Sequence, residues 1–79
     1  MAPTVLQQDG YRVAIMPNDH TPAHVHIKNA ERGARIGLDP VRVLTSHGFN
    51  DRELSKIAEI VSNHQSELLA EWDKYHPNR

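Results

Sequence analysis

Three of the six histidines lie within seven residues of one another. They are His20, His24 and His26, in the pattern H-x-x-x-H-x-H. Two imidazoles at alternate positions of a strand point the same way, with Cα atoms about 6.5–7 Å apart, and such a pair can ligate Zn²⁺ or another divalent metal. The spacing therefore predicts a metal site formed by His20, His24 and His26, with Asp19, His47 or water completing the ligand shell.

The same cluster is compatible with metal-free cleavage of a phosphodiester. Two histidines can divide the roles of general base and general acid near neutral pH, and a nearby cation can stabilise the charge that develops on the phosphorus oxygens. In this interpretation His24, His26 and Lys28 are catalytic, Arg12 or Arg35 supports them, and RNA is the substrate. A third interpretation is structural, in which the imidazoles hydrogen-bond the loop and hold it closed.

Alternation along the predicted strands assigns side chains to the two faces of a sheet. One face would be apolar and would carry Val13, Ile15, Val25, Ile27, Ile36 and Leu38. The other would be cationic and rich in imidazole, and would carry Arg12, His24, His26, Lys28 and Arg35. We therefore expect a helix to cover the apolar face, and an anion or a metal to bind the other.

Turn chemistry divides the first half of the chain into short strands. Asp9-Gly10 is a hairpin turn signal, residues 17–22 are typical of a loop, and residues 29–33 form another turn. Between these turns, the segments that alternate as strands are 4–6, 11–16, 24–28, 34–38 and, as an edge strand, 41–44. The prediction is an α+β fold: an antiparallel sheet of three to five strands within residues 4–44, with a long C-terminal helix packed on one face.

A single long helix is predicted over residues 51–75. Asn50 and Glu53 have the spacing of a capping box, and apolar residues then recur with the helical period. At 1.5 Å per residue this helix would be about 37 Å long. That is too long for so small a domain, so the helix either bends near residues 62–63 or overhangs the sheet. An overhanging end would expose Trp72 and Tyr75 as a partner-binding surface.

His64 falls on the apolar stripe of this helix, between Val61 and Leu68. We expect a partly buried, hydrogen-bonded imidazole there. The alternative is that the helix packs across the sheet edge and aims His64 at the histidine cluster as a supporting residue.

The composition fits one small domain spanning residues 1–79. Cysteine is absent, which excludes disulfides and thiolate metal sites and fits a reducing compartment. No apolar run approaches the ~18 residues of a membrane helix, and the N-terminus does not have a signal-peptide pattern. We therefore expect a cytoplasmic protein with no membrane partner. The net charge of −1 gives no general attraction to nucleic acid.

Several segments together resemble a known family. They are residues 3–6, 10–11, 18–26 and 68–75, which span nearly the whole chain, and the D-H-x-P-x-H-V-H segment is the most specific of them. On these residues the chain resembles the prokaryotic domain-of-unknown-function 4160 family, although Ala23 stands where a second proline is usual. The resemblance implies a small bacterial protein, a component of a toxin–antitoxin-like module. It also implies a small partner protein of the domain-of-unknown-function 2442 family encoded nearby.

The resemblance implies a toxin-like component of a two-protein module, and the residues predict that it acts through the His20, His24 and His26 surface on RNA or another phosphate substrate. The alternative is a non-catalytic, antitoxin-like module in which Trp72 and Tyr75 bind a partner or a second copy, with DNA-linked autoregulation. The residues leave open whether the chain is an enzyme.

Overall fold

The computed structural model describes residues 4–17 and 20–76. Residues 1–3, 18, 19 and 77–79 lie outside the described residues, and with them Asp19 and part of the predicted loop over 17–22. Five strands come first along the chain: β1 (Thr4–Gln8), β2 (Tyr11–Ala14), β3 (His24–Asn29), β4 (Arg32–Leu38) and β5 (Val41–His47). They form one antiparallel sheet in the order β1-β2-β3-β4-β5. Two helices follow, α1 (Asp51–Asn63) and α2 (Gln65–Tyr75), and the predicted α+β fold is confirmed.

The hairpin between β1 and β2 forms where the sequence predicts it. Asp9 and Gly10 both have positive φ, 54° and 83°, which is the requirement of the two-residue turn that matches strand twist. The last strand is longer than predicted, because β5 continues to His47 and pairs there with Gly33. Its regular pairing is interrupted once, by a bulge opposite Arg35 and Ile36.

The apolar face of the sheet packs under the helices, as the alternation predicts. Val13, Ile15, Val25, Ile27, Ile36 and Leu38 are all at most 1% exposed. The helices contribute Ile57, Val61, Leu68 and Trp72 to the same core. The predicted face assignment is therefore correct for the strand interiors.

The predicted single helix is interrupted at His64, close to the predicted bend. The backbone of His64 leaves helical geometry (φ −119°, ψ 18°), and its N–H donates to the carbonyls of Ser62 and Val61. Ser62 and Asn63 are weak helix formers, which favours an end at this point. Gln65 then donates to the carbonyl of Leu38 at 2.6 Å and ties the start of α2 to the sheet. The break keeps both helices on a body whose longest dimension is 34 Å. No helix among the described residues is long and apolar enough to cross a membrane.

The start of α1 is anchored by the predicted capping box and by one strand residue. The Asn50 side chain accepts from the Glu53 N–H at 2.8 Å, and Glu53 accepts from the Asn50 N–H at 3.1 Å. Arg32 of β4 donates to Glu53 and to the Asn29 side chain, and its guanidinium lies 5.1 Å from the centre of the Phe49 ring. The hydrogen bond from the Asn50 backbone lowers the pKa of Glu53, burial opposes this, and Arg32 lowers the pKa further.

We expect a Glu53→Gln variant to be less stable than wild type at pH 7 and to lose less stability on acidification. A carboxylate whose folded pKa is depressed stabilises the fold fully above its unfolded pKa, near 4.5. That contribution is lost as the pH falls below this value toward the folded pKa. Urea midpoints between pH 7 and pH 3 measure the difference. Glu59→Gln, an exposed carboxylate on the same helix, is the control, and equal pH profiles for the two variants would contradict the prediction.

Candidate functional site

The face of the sheet turned away from the helices is called here the outer face, and three cross-strand rows build it. Directly paired residues on neighbouring strands share a face, so the register defines the rows. Read from β3 to β5, they are Lys28/Gly33/His47, His26/Arg35/Thr45 and His24/Gly37/Arg42. Arg12 of β2 lies opposite Lys28 and extends the first row. The predicted polar face is therefore present, and it is wider than predicted.

Two cavities adjoin on this face and share Arg35 and Thr45 as a common wall. The first is about 440 Å³ and is lined by His20, Thr21, Pro22, His24, Arg42 and Leu44. The second is about 350 Å³ and is lined by His26, Ile27, Lys28, Gly33, Ala34, Ser46 and His47. The Arg35 Nε–H donates to the Thr45 hydroxyl oxygen at 3.2 Å, which holds the guanidinium between the two cavities.

Charge is distributed unequally between the two layers of the protein. Arg12, Lys28, Arg35 and Arg42 lie on the outer face, and none of the described positions that the register assigns to this face carries a carboxylate. The helical segment 51–75 instead carries six acids against three bases. Four cations in one patch, with no carboxylate at the described positions of that face, produce a positive potential that a net charge of −1 conceals.

His24 is more deeply placed than its position in the pattern predicts. It is only 5% exposed, and its Nδ1–H donates to the carbonyl of Pro22 at 2.8 Å. Its ring centre lies 5.2 Å from that of His26 and 5.4 Å from that of Trp72. The expectation that His24 is an open outer-face residue is therefore wrong. The reason is its place at the first residue of β3, where the Trp72 side chain of α2 reaches it.

The other residues of the predicted acid–base site are more accessible. His26 is half-buried, and Lys28, Arg35 and Arg12 are exposed. The cross-strand register brings His26 beside Arg35 and Lys28 beside Arg12. The structure thus groups one accessible imidazole with three cations, and the second imidazole, His24, is buried beside His26.

The three histidines of the predicted metal site are only partly brought together. His24 and His26 lie side by side, and His20 lines the same cavity as His24. Across residues 4–17 and 20–76, no three His, Cys, Asp or Glu side chains are grouped so that they could hold a metal ion. Asp19, a possible further ligand, lies outside the described residues. Zinc or another divalent metal at His20, His24 and His26 stays a prediction.

His64 is a partly buried, hydrogen-bonded residue and does not support the histidine cluster. Its Nε2 lies 3.1 Å from Gln8 Oε1 on β1, and its Nδ1 lies 3.4 Å from Glu67 Oε1. These contacts tie the break between the helices to the first strand of the sheet. His64 is therefore directed at β1 and not at the histidines of β3, so the interpretation in which it serves the cluster is wrong.

Trp72 does not form part of an exposed surface. It is 0% exposed and packs between His24 and His76, whose ring stacks on the indole at 3.7 Å. The expectation of an overhanging end at Trp72 is wrong, because α2 packs on the sheet and its indole is part of the common core. Tyr75 is 39% exposed and keeps the accessibility that a partner-binding residue needs.

Arg42, Thr45 and His47 belong to the outer face but were not predicted there. All three come from β5. Arg42 lies within the predicted edge strand 41–44, to which no face is assigned from the sequence. Thr45 and His47 lie beyond residue 44, and the bulge opposite Arg35 shifts the alternation there by one position. Gly33 was also missed as a cavity-lining residue. The signal available in the sequence was the run of strand-forming residues that continues through Thr45.

Comparison with family models finds one match, to a family described as "Domain of unknown function (DUF4160)", over residues 10–73. Comparison with curated proteins and with solved structures gives no significant match. The matched residues include β2 to β5, α1 and nearly all of α2, and therefore all three rows of the outer face. The chain belongs to the DUF4160 family, as the resemblance in its residues predicts.

Proposed function

We propose that this protein binds the phosphate backbone of RNA through its outer face, as the toxin-like component of a bacterial two-protein module. The observation that carries the proposal is the charge separation. The outer face has Arg12, Lys28, Arg35 and Arg42 with no carboxylate at its described positions. Lysine and arginine patches of this kind supply the sequence-independent part of nucleic-acid binding.

The arrangement of the cations supports a polyanion more than a single small anion. They occupy all three rows, so their spread follows the β-strand direction at about 6.5–7 Å per row. Arg35 is held by Thr45 at the centre of the face, and guanidinium groups recognise phosphate through paired hydrogen bonds. The acidic helical segment repels a polyanion, so an RNA strand would be directed to the outer face.

We expect the protein to bind a fluorescently labelled twelve-nucleotide single-stranded RNA with strong salt dependence. Each phosphate contact to a single strand contributes about −0.7 to the slope of log Kobs against log salt. Four cations therefore predict a slope of about −3, or roughly a 50-fold loss of affinity between about 50 and 200 mM salt. Fluorescence anisotropy at four salt concentrations measures this slope.

The control for this experiment compares two charge reversals. Arg35→Glu should weaken binding about tenfold or more and flatten the salt slope, since it places an acid at the centre of the outer face. Arg52→Glu makes the same change of charge on an exposed position of α1 and should leave affinity within about twofold. Equal losses in the two variants would mean that binding does not use the outer face, and no binding by wild type at low salt would refute the proposal.

Cleavage of the bound RNA is a second candidate function. It is favoured by the 5.2 Å separation of the His24 and His26 rings beside Lys28 and Arg35. The hydrogen bond to Pro22 places the proton of a neutral His24 on Nδ1. His26 is the more accessible of the two and is therefore the better candidate to contact a substrate.

In the alternative function, a non-catalytic regulatory module, a different surface of the protein binds the partner. A non-catalytic, antitoxin-like module would bind a protein of the domain-of-unknown-function 2442 type, or a second copy of this chain, through Tyr75. Trp72 is buried and would not take part in that contact. The outer face would then have no part in recognition of that partner. The charge reversals described above separate the two surfaces, because neither Arg35 nor Arg52 lies on the C-terminal turn of α2.

A further inference from the structure

At Gly33 there is room for a Cβ atom, whereas at Gly37 and Gly48 a Cβ atom would lie too close to its neighbours. A Cβ at Gly48 would lie 2.6 Å from the Arg32 side chain, and one at Gly37 would lie 3.1 Å from the carbonyl oxygen of Pro40. A Cβ at Gly33 would meet nothing closer than the Ile27 carbonyl oxygen at 3.5 Å, an ordinary contact. The backbone of Gly33 is not in the left-handed region either. An alanine would therefore fit this position in the folded chain.

A glycine inside a strand weakens the strand, because it offers no side chain to pack and loses more backbone entropy on folding. Such a glycine often marks a place where a ligand approaches the main chain closely. Gly33 lies on the outer face between Lys28 and His47, and it lines the 350 Å³ cavity. A side chain at this position would project from the sheet into the space that the cavity occupies.

The cavity over Gly33 has the groups that a nucleotide requires. Lys28 and Arg35 supply two cations for a phosphate, and Thr45, which the register places on the outer face opposite Arg35, supplies a hydroxyl group. His47 supplies an aromatic ring on β5 beside Gly33, and protein aromatic rings stack on the exposed bases of single-stranded RNA. A volume of 350 Å³ lies at the lower end of the range of small-molecule sites.

We propose that the cavity over Gly33 binds one nucleotide of a single-stranded RNA. The phosphate lies between Lys28 and Arg35, and the base lies over the bare backbone of Gly33 beside His47. This inference rests on the proposed function and adds to it the position at which one nucleotide is recognised. In this proposal Gly33 is needed to leave space for the nucleotide and is not needed for folding.

The test compares Gly33→Ala with Gly37→Ala in the full chain. Gly33→Ala should melt at or above the wild-type temperature and bind the twelve-nucleotide RNA about tenfold more weakly, because its methyl group occupies the cavity floor. Gly37→Ala, on the same strand and face, should melt below Gly33→Ala because its Cβ would lie 3.1 Å from the carbonyl oxygen of Pro40. Uridine monophosphate should displace the RNA from wild type, and inorganic phosphate at the same concentration and ionic strength should displace less.

The other outcomes of this experiment contradict the nucleotide site, its structural premise or the proposed function. A Gly33→Ala variant that binds RNA as wild type does, while Arg35→Glu does not, overturns the nucleotide site and leaves the proposed function standing. Equal displacement by uridine monophosphate and inorganic phosphate shows that the cavity recognises phosphate alone, which also overturns the inference. A marked drop in the Gly33→Ala melting temperature contradicts its structural premise. If Arg35→Glu also binds normally, the proposed function itself has failed.

Discussion

Replacement of Trp72 by alanine is expected to remove more than half of the free energy of unfolding at 25 °C. The indole is 0% exposed, and it packs against His24 and His76 at the junction of α2 with the sheet. Truncation of a buried aromatic to alanine costs about 3–5 kcal/mol. A domain of this size has a total stability on the order of 5 kcal/mol. Urea unfolding followed by far-ultraviolet circular dichroism measures the loss.

Tyr75 provides a matched control three residues further along the same helix. It is 39% exposed, so Tyr75→Ala should change the free energy of unfolding by less than about 1 kcal/mol. A Trp72→Ala variant as stable as wild type would show that the indole is not part of the core. The same two variants also show whether a loss of partner binding comes from unfolding or from a lost contact. A partner lost on Trp72→Ala but kept on Tyr75→Ala would report unfolding and not a lost contact.

The second large effect concerns RNA cleavage, and we expect His26→Ala to lower its rate about 100-fold or more. General acid–base catalysis by one positioned side chain contributes about this much, and His26 is the accessible member of the pair. Binding should remain within about threefold of wild type, since the four Lys and Arg residues of the outer face are unchanged. The rate should follow a bell-shaped pH profile and persist in chelator, because one imidazole must be neutral, the other charged, and no metal is required.

His24→Ala is not an equivalent probe, because His24 is buried against Trp72 and its loss also affects the core. Its melting temperature must therefore be measured beside its activity. Wild-type protein that leaves RNA uncut from pH 5 to 8, with and without divalent metals, would remove cleavage from consideration and leave RNA binding. Induction of wild type and His26→Ala in cells, alone and with the proposed partner of the domain-of-unknown-function 2442 type, extends the same comparison to growth. If the protein is the toxin-like component proposed above, wild type should arrest growth and the proposed partner should relieve the arrest.

Local patterns were sufficient for most of the fold. Asp9-Gly10 predicts its hairpin because few residue pairs tolerate positive φ at two successive positions. Asn50 and Glu53 predict the start of α1 because their side chains satisfy backbone groups within one turn. Strand alternation separates Val25 and Ile27 from His26 and Lys28 because successive side chains of a strand point to opposite faces. All of these rules act over a few residues, so the sequence determines them without knowledge of the rest of the chain.

The composition of the site was decided by contacts between residues far apart in the chain. The packing of α2 on the sheet places Trp72 against His24, which removes one predicted catalytic residue and one predicted partner-binding residue from the surface. The bulge in β5 and its extension to His47 add Thr45 and His47 to the outer face. Neither event follows from local propensity, because each depends on how an element packs or pairs across the sheet. By itself, the sequence determined that one face of this sheet is cationic and rich in histidine; only the tertiary structure decided which of those side chains a ligand can reach.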